Sequence, residues 1–172
     1  MRGTVLGVAL AAIGLSGCVV VDASRGDGKP VALESETIRY ETGACHGTCP
    51  VYAVTIAPDG KGTFEGKRFT TVAGTRTFQA SAAAYHLFAA RLAPYRPHGS
   101  ETIYQPGTPD CRNAPTDLPS VDVTWSEASG GRQHLAFYYG CGDPAMREAL
   151  RGAAALLPIA GLIGTPQRPG AS

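Results

Sequence analysis

The chain has 172 residues, of which 44% are apolar and 17% charged, with 22 glycines and 13 prolines. That much apolar material can build a core, which excludes disorder throughout, while the glycine and proline content predicts many turns and a long irregular connection. Of the 15 Lys and Arg only Arg2 precedes Cys18, and all 14 Asp and Glu follow it, so the remainder is neutral and, with Lys67-Arg68 as its basic pair, offers no footprint for nucleic acid.

Met1-Arg2-Gly3-Thr4 is a short positive start, followed by an apolar run from Val5 to Leu15 and small residues at Ser16 and Gly17. This reads as a secretory signal over residues 1–17, too short to span a bilayer as a helix. Leu15-Ser16-Gly17-Cys18 resembles the bacterial lipobox, which implies cleavage before Cys18, acylation of its thiol and amine, and an effectively permanent membrane anchor. Lipoproteins retained in the inner membrane often carry Asp after the cysteine; Val19 stands here, so the resemblance points to the outer membrane, facing the periplasm. Residues 18–32 read as the lipidated start and a flexible tether, in which Arg25-Gly26-Asp27 is a chance tripeptide of the linker composition.

A single domain is expected over residues 33–163. Thr37–Glu41 alternates as a first strand, and Cys45-His46-Gly47-Thr48-Cys49-Pro50 forms a cysteine-bounded loop running into a β-branched strand from Val51. Pro58-Asp59-Gly60 turns the chain into a hairpin partner over Gly62–Gly66, and Phe69–Phe78 supplies a further strand around a turn at Gly74. Ser81 caps a helix that runs to about Ala93 and ends at Pro94, with Ala84, Tyr85, Phe88 and Leu92 inward and His86 at a solvated edge. From Pro94 to Pro119 runs a connection holding six prolines, which makes it a first candidate for a contact surface or a loop simply tied down. Val121, Val123 and Trp125 then alternate with polar residues, and Leu135, Phe137 and Tyr139 line a partner strand whose His134 and Tyr138 point the other way. Asp143-Pro144 opens a last helix with Met146, Ala149, Leu150, Ala153 and Leu157 as its stripe, and residues 164–172 read as a frayed tail. Strands then helix, twice, predict an α+β domain: an antiparallel sheet of about five or six strands with two helices on one face.

Export makes disulfides permissible, and setting Cys18 aside leaves four cysteines with three possible connectivities. Closeness in sequence favours Cys45 with Cys49, which leaves Cys111 with Cys141 flanking one strand pair. The competing reading of the first pair is chemical. Cys-x-x-x-Cys-Pro beside His46 could hold a soft metal such as Cu(I) or cycle as a redox dithiol. Against it, Pro50 leads into a strand, so no helix N-terminus is there to stabilise a thiolate. The disulfide reading therefore needs no metal and no cofactor.

The run Ala44–Tyr52, with Ile56, Asp59-Gly60, Phe64-Glu65-Gly66 and the later Thr116-Asp117, resembles the bacterial domain-of-unknown-function family numbered 6438, over roughly residues 36–158. Members are typically small exported proteins or lipoproteins without an assigned activity, so the resemblance implies fold and address and no catalytic residues. Cys111 and Cys141 lie outside the shared motif. No nucleophile elbow, zinc-protease helix or phosphate loop is present, and Asp117, placed just before a strand, has no second aspartate nearby to form an acid pair. The expectation is a non-enzymatic module binding an envelope protein, peptidoglycan or a foreign hydrolase, with His46 and Asp117 as candidate functional residues. The alternative is a metal or thiol-redox protein using Cys45 and Cys49.

Overall fold

The computed structural model describes residues 36–164. The expected signal (1–17), the lipid site Cys18, the tether (18–32) and the tail beyond Gly164 lie outside the described residues.

Seven strands form one sheet: β1 (Glu36–Thr42), β2 (Val51–Ile56), β3 (Lys61–Arg68), β4 (Gly74–Gln79), β5 (Glu101–Tyr104), β6 (Ser120–Glu127) and β7 (Arg132–Tyr138), in the spatial order β4-β3-β2-β1-β6-β7-β5. Helix α1 (Ala82–Leu92) follows β4, and α2 (Pro144–Ala153) follows β7. A four-strand meander with its helix is thus joined to a two-strand hairpin with its helix through the antiparallel pair β1–β6. Among the described residues no helix is long and apolar enough to cross a membrane.

The strand count and pairing correct the expectation of five or six antiparallel strands. The seventh, β5, lies inside the proline-rich connection and pairs parallel to β7, Glu101 opposite His134 and Tyr104 opposite Phe137. Four residues with apolar side chains only at Ile103 and Tyr104 carry no readable period, and a parallel register is set by the return path from α1, not by a local turn. The expected strand across Phe69–Phe78 also shortens. The Thr71 and Val72 amides donate to the Ile163 and Leu162 carbonyls (both 3.1 Å), so they are committed to the C-terminal segment, and Gly74 opens β4 instead of turning it.

Alternation along the strands sends Ile38, Tyr40, Tyr52, Val54, Ile56, Phe64, Val121, Val123, Trp125, Leu135 and Phe137 to one face, all buried. Tyr85, Phe88, Ala89 and Leu92 of α1 and Met146, Leu150 and Ala153 of α2 join them in one core. Tyr40 fixes both helices to that face: its ring meets Phe88 edge-on at 6.1 Å, and its hydroxyl donates to the Leu150 carbonyl at 3.0 Å. The helix starts follow from their caps. Ser81 accepts the Ala84 amide (3.1 Å), and Asp143 accepts the Met146 amide (2.8 Å) with Pro144 in the first turn. At the Pro58-Asp59-Gly60 turn Gly60 sits at φ 80°, and a Cβ there would run into the Ala80 carbonyl.

One charge is buried beneath the first strand. Glu36 is 1% exposed and pairs with Arg96 at 2.8 Å, while Arg96 also donates to Gln133 and Glu127 and lies 6.0 Å over the Trp125 ring. Glu36 Oε1 has no hydrogen-bond partner. Burial pushes this carboxyl above its ordinary range, against the opposing pull of Arg96. The Tyr85 hydroxyl donates to the Glu36 carbonyl (2.6 Å), and burial, then the nearby carboxylate, pushes its pKa up to about 12.

Candidate functional site

Strand direction gathers the unusual features at one end of the sheet. The chain joins β1 at Glu36, opposite Glu127, and leaves it at Thr42, opposite Val121. Around that far end lie the segments 43–50, 69–73, 105–119 and 139–143. Both disulfides are there. Cys45–Cys49 closes the β1–β2 loop with Cα atoms 5.8 Å apart, and Cys111–Cys141 ties the long connection to the end of β7 with Cα atoms 4.9 Å apart. Cys111 and Cys141 are buried and belong to the core, so this bridge is an internal staple, whereas the Cys45–Cys49 loop stands out at the surface.

His46 and Asp117, distant in sequence, meet here through the backbone: the His46 amide donates to the Asp117 carbonyl at 3.2 Å. Both side chains are exposed. The Gly43 amide donates to Ser120 (2.8 Å) and the Tyr139 amide to Pro119 (3.1 Å), so residues 117–120 stitch the cysteine loop to the end of β7. Tyr138, half-buried at the end of β7, clamps the same segment by donating to the Pro115 carbonyl (2.8 Å) and accepting the Leu118 amide (3.0 Å). What unites His46 and Asp117 is a bracing contact, with no acid–base pair formed between their side chains.

Among the described residues two that are not glycine occupy the left-handed region, and both are at this end: Asp117 at φ 71° and Phe69 at φ 55°. Asp tolerates the conformation because its short polar side chain bonds locally, here accepting from the Thr116 hydroxyl at 3.2 Å. Phe69 has no such relief, yet it is 47% exposed, with the Arg68 guanidinium 5.0 Å over its ring. Its loop is held rigid by the Thr71 and Val72 bonds to the C-terminal segment. Leu118, 36% exposed, precedes β6, which lies three strands along the sheet from β3. No sequence signal marked Phe69, because a left-handed backbone at a phenylalanine has no composition cue.

The family model described as domain of unknown function (DUF6438) matches residues 36–157. The chain belongs to this family. The match spans the whole sheet and both helices, together with the cysteine loop and Asp117. No curated protein and no solved structure matches the chain.

The helix-free face of the family domain is polar. A single transverse row crosses all seven strands: Thr77, Thr63, Thr55, Arg39, Thr124, His134 and Glu101, each opposite the next. Beside it Arg39 pairs with Glu41 (2.6 Å) and Glu65 (3.5 Å), and Lys67 pairs with Glu41. Toward the β4 edge Thr37, Thr55, Thr63 and Thr77 line an open groove of about 550 Å³. His134 uses both ring nitrogens, Nδ1 to Glu101 (2.9 Å) and Nε2 to Asp122 (3.0 Å), so it bridges β5, β7 and β6. The chain order hid this trio, because Glu101 reaches it only through the parallel edge strand. The carboxylates sit on opposite nitrogens, and among the described residues no group of three or more His, Cys, Asp or Glu is arranged to hold a metal ion.

Partial burial lowers the His134 pKa, but the bonds to Glu101 and Asp122 outweigh it and hold the imidazole above its ordinary value of 6.5. A raised folded pKa adds stability that is fully present below the unfolded value and is lost as pH rises through the folded one. Replacing His134 with alanine should therefore lower the denaturation midpoint at pH 5.5 more than at pH 9. Both carboxylates are about half exposed, so the difference is a fraction of a kcal/mol. Equal losses at the two pH values would show that the imidazolium does not hold β5.

Proposed function

We propose that this is a lipid-anchored envelope protein, attached through Cys18 to the outer membrane and facing the periplasm, whose domain is a non-enzymatic binding module. The observation that carries the reading is polarity of placement. β1 begins at Glu36 at one end of the sheet, and the stapled, strained and apolar loops stand at the opposite end. Exposed Phe69 and Leu118 beside a braced loop favour a protein partner over peptidoglycan, because apolar anchors gain most from a desolvated protein pocket. Holding Phe69 left-handed costs about 1–2 kcal/mol, which a merely structural hairpin would shed by placing glycine or asparagine there. The metal or thiol-redox alternative at Cys45 and Cys49 is the weaker reading: sulfurs bonded to each other do not hold a metal, and β2 begins at Val51, so no helix N-terminus lies beside them to make a thiolate reactive.

The test places a photo-crosslinking side chain at Phe69, at Leu118 and, as control, at Leu87, which is 60% exposed on α1. In intact envelopes positions 69 and 118 should yield one adduct of the same discrete mass, and position 87 none. Phe69→Asn should melt no lower than wild type yet lose the adduct formed at 118. A sugar-containing adduct would transfer the reading to peptidoglycan, and equal labelling at all three positions would end it. The same strains check the anchor, since a Cys18→Ala chain should leave the membrane fraction.

A further inference from the structure

We infer that β4 is a self-pairing edge through which two copies of this chain join into one continuous sheet. The two edges of the sheet are built differently. β5 is four residues long and lies between Pro97 and Pro106, which blunts it. β4 is six residues long, contains no proline or lysine, keeps an unbroken register with β3, and is exposed along its length apart from Phe78. Phe78 rests over Gly62 of β3, so its ring is already held against the sheet.

The phase of the ladder decides which groups face outward. The Ala80 amide donates to the Gly60 carbonyl at 2.9 Å, and antiparallel bonding alternates every second residue. Thr75, Thr77 and Gln79 therefore direct their main-chain N–H and C=O away from β3. An antiparallel two-fold axis through Thr77 matches those groups with themselves: Thr77 opposes Thr77, Thr75 opposes Gln79, and Arg76 opposes Phe78. On one face this sets a guanidinium beside an aromatic ring twice over, and on the other it pairs hydroxyl and amide side chains. An axis through Arg76 would set two guanidinium groups against each other, which disfavours it. In the single chain Arg76 donates to the Thr75 carbonyl (2.9 Å), one of the acceptors the second copy needs, so pairing moves this side chain onto the facing Phe78. The threonine row on the helix-free face then runs on through the axis, and the two grooves adjoin.

Strand pairing of this size buries less than the roughly 1,000 Å² of a stable interface, so the association in dilute solution is weak. Chains confined to a membrane by the proposed lipid meet at far higher effective concentration, a consequence that rests on the reading above; the edge itself does not.

The test uses the oxidised full-length chain. Thr77→Cys places its sulfur on the axis, where a hydrogen-bonded pair sets Cα atoms about 5.5 Å apart, inside the range a disulfide spans. On a non-reducing gel its apparent mass should double and return to that of one chain on reduction, while Leu87→Cys stays single. Thr77→Lys puts like charges on the axis at an exposed position and should melt as wild type does, yet sediment as one chain at concentrations where wild type sediments faster. Trapping of Thr77→Cys no greater than that of Leu87→Cys overturns the proposal. So does identical sedimentation of wild type and Thr77→Lys across a concentration series.

Discussion

Replacing Arg96 with alanine should destabilise the domain by about 3–5 kcal/mol, the usual cost of stranding one partner of a buried ion pair. Glu36 is 1% exposed and already has one carboxylate oxygen without a partner, so loss of the 2.8 Å pair leaves the charge with no compensation in the core. The same substitution removes a donor to Gln133 and the cation over Trp125, which adds a packing loss. The pH dependence separates the two. Burial raises the Glu36 pKa above 4.5 while Arg96 lowers it, so without Arg96 the folded value climbs further. A carboxyl whose folded pKa is raised favours the folded state in acid and loses that contribution as pH rises through the folded value. Urea titrations should therefore find the Arg96→Ala deficit at its full size near neutral pH and reduced in mild acid. Glu36→Gln, which removes the charge and keeps the shape, should cost less than Arg96→Ala. A pH-independent deficit, or equal costs for the two variants, would mean that packing rather than charge holds this corner.

Removing the Cys111–Cys141 bridge by a double substitution to alanine should cost about 3–4 kcal/mol, and removing Cys45–Cys49 about 2, on the chain-entropy account of loop closure. The difference follows from sequence separations of 30 and 4. Burial of Cys111 and Cys141 in the core widens the gap, because removing the longer bridge also empties space within it. Without it, β5 itself keeps four parallel pairs with β7 and the His134 trio, while Tyr138 still clamps Pro115 and Leu118 further along, so β5, at the edge of the sheet, should be the first region to exchange its amides. Denaturant midpoints of the two double variants, with hydrogen exchange over residues 101–104, check both statements. A larger loss from the short bridge would show that the cysteine loop, not the long connection, is the weak point of the fold.

The alternating strands β1, β2, β3, β6 and β7 were legible from residue pattern, as were both helices with their Ser81 and Asp143 caps, because each depends on neighbours within a few positions. The pairing of the cysteines near in sequence, and of the two that flank the β6–β7 strand pair, was favoured on the same local grounds. Inward positions such as Tyr85, Phe88 and Trp125 announced themselves by period alone.

What depended on distant segments meeting was not legible. β5 exists because α1 returns the chain beside β7, and a four-residue run holds too few side chains to show a period. Asp117 and His46 are 71 positions apart and touch only through the register of β1 with β6. Glu36 lies just before the strand expected from Thr37, yet the turn after α1 carries Arg96 beside it and the carboxylate is buried. Phe69 reads as a strand aromatic, yet the C-terminal segment takes the amides of its loop and holds it left-handed at the surface. Local pattern settles which residues face inward, because side-chain direction repeats along each element. Which surfaces meet is settled only when the sheet closes, because register and crossover are properties of the whole chain.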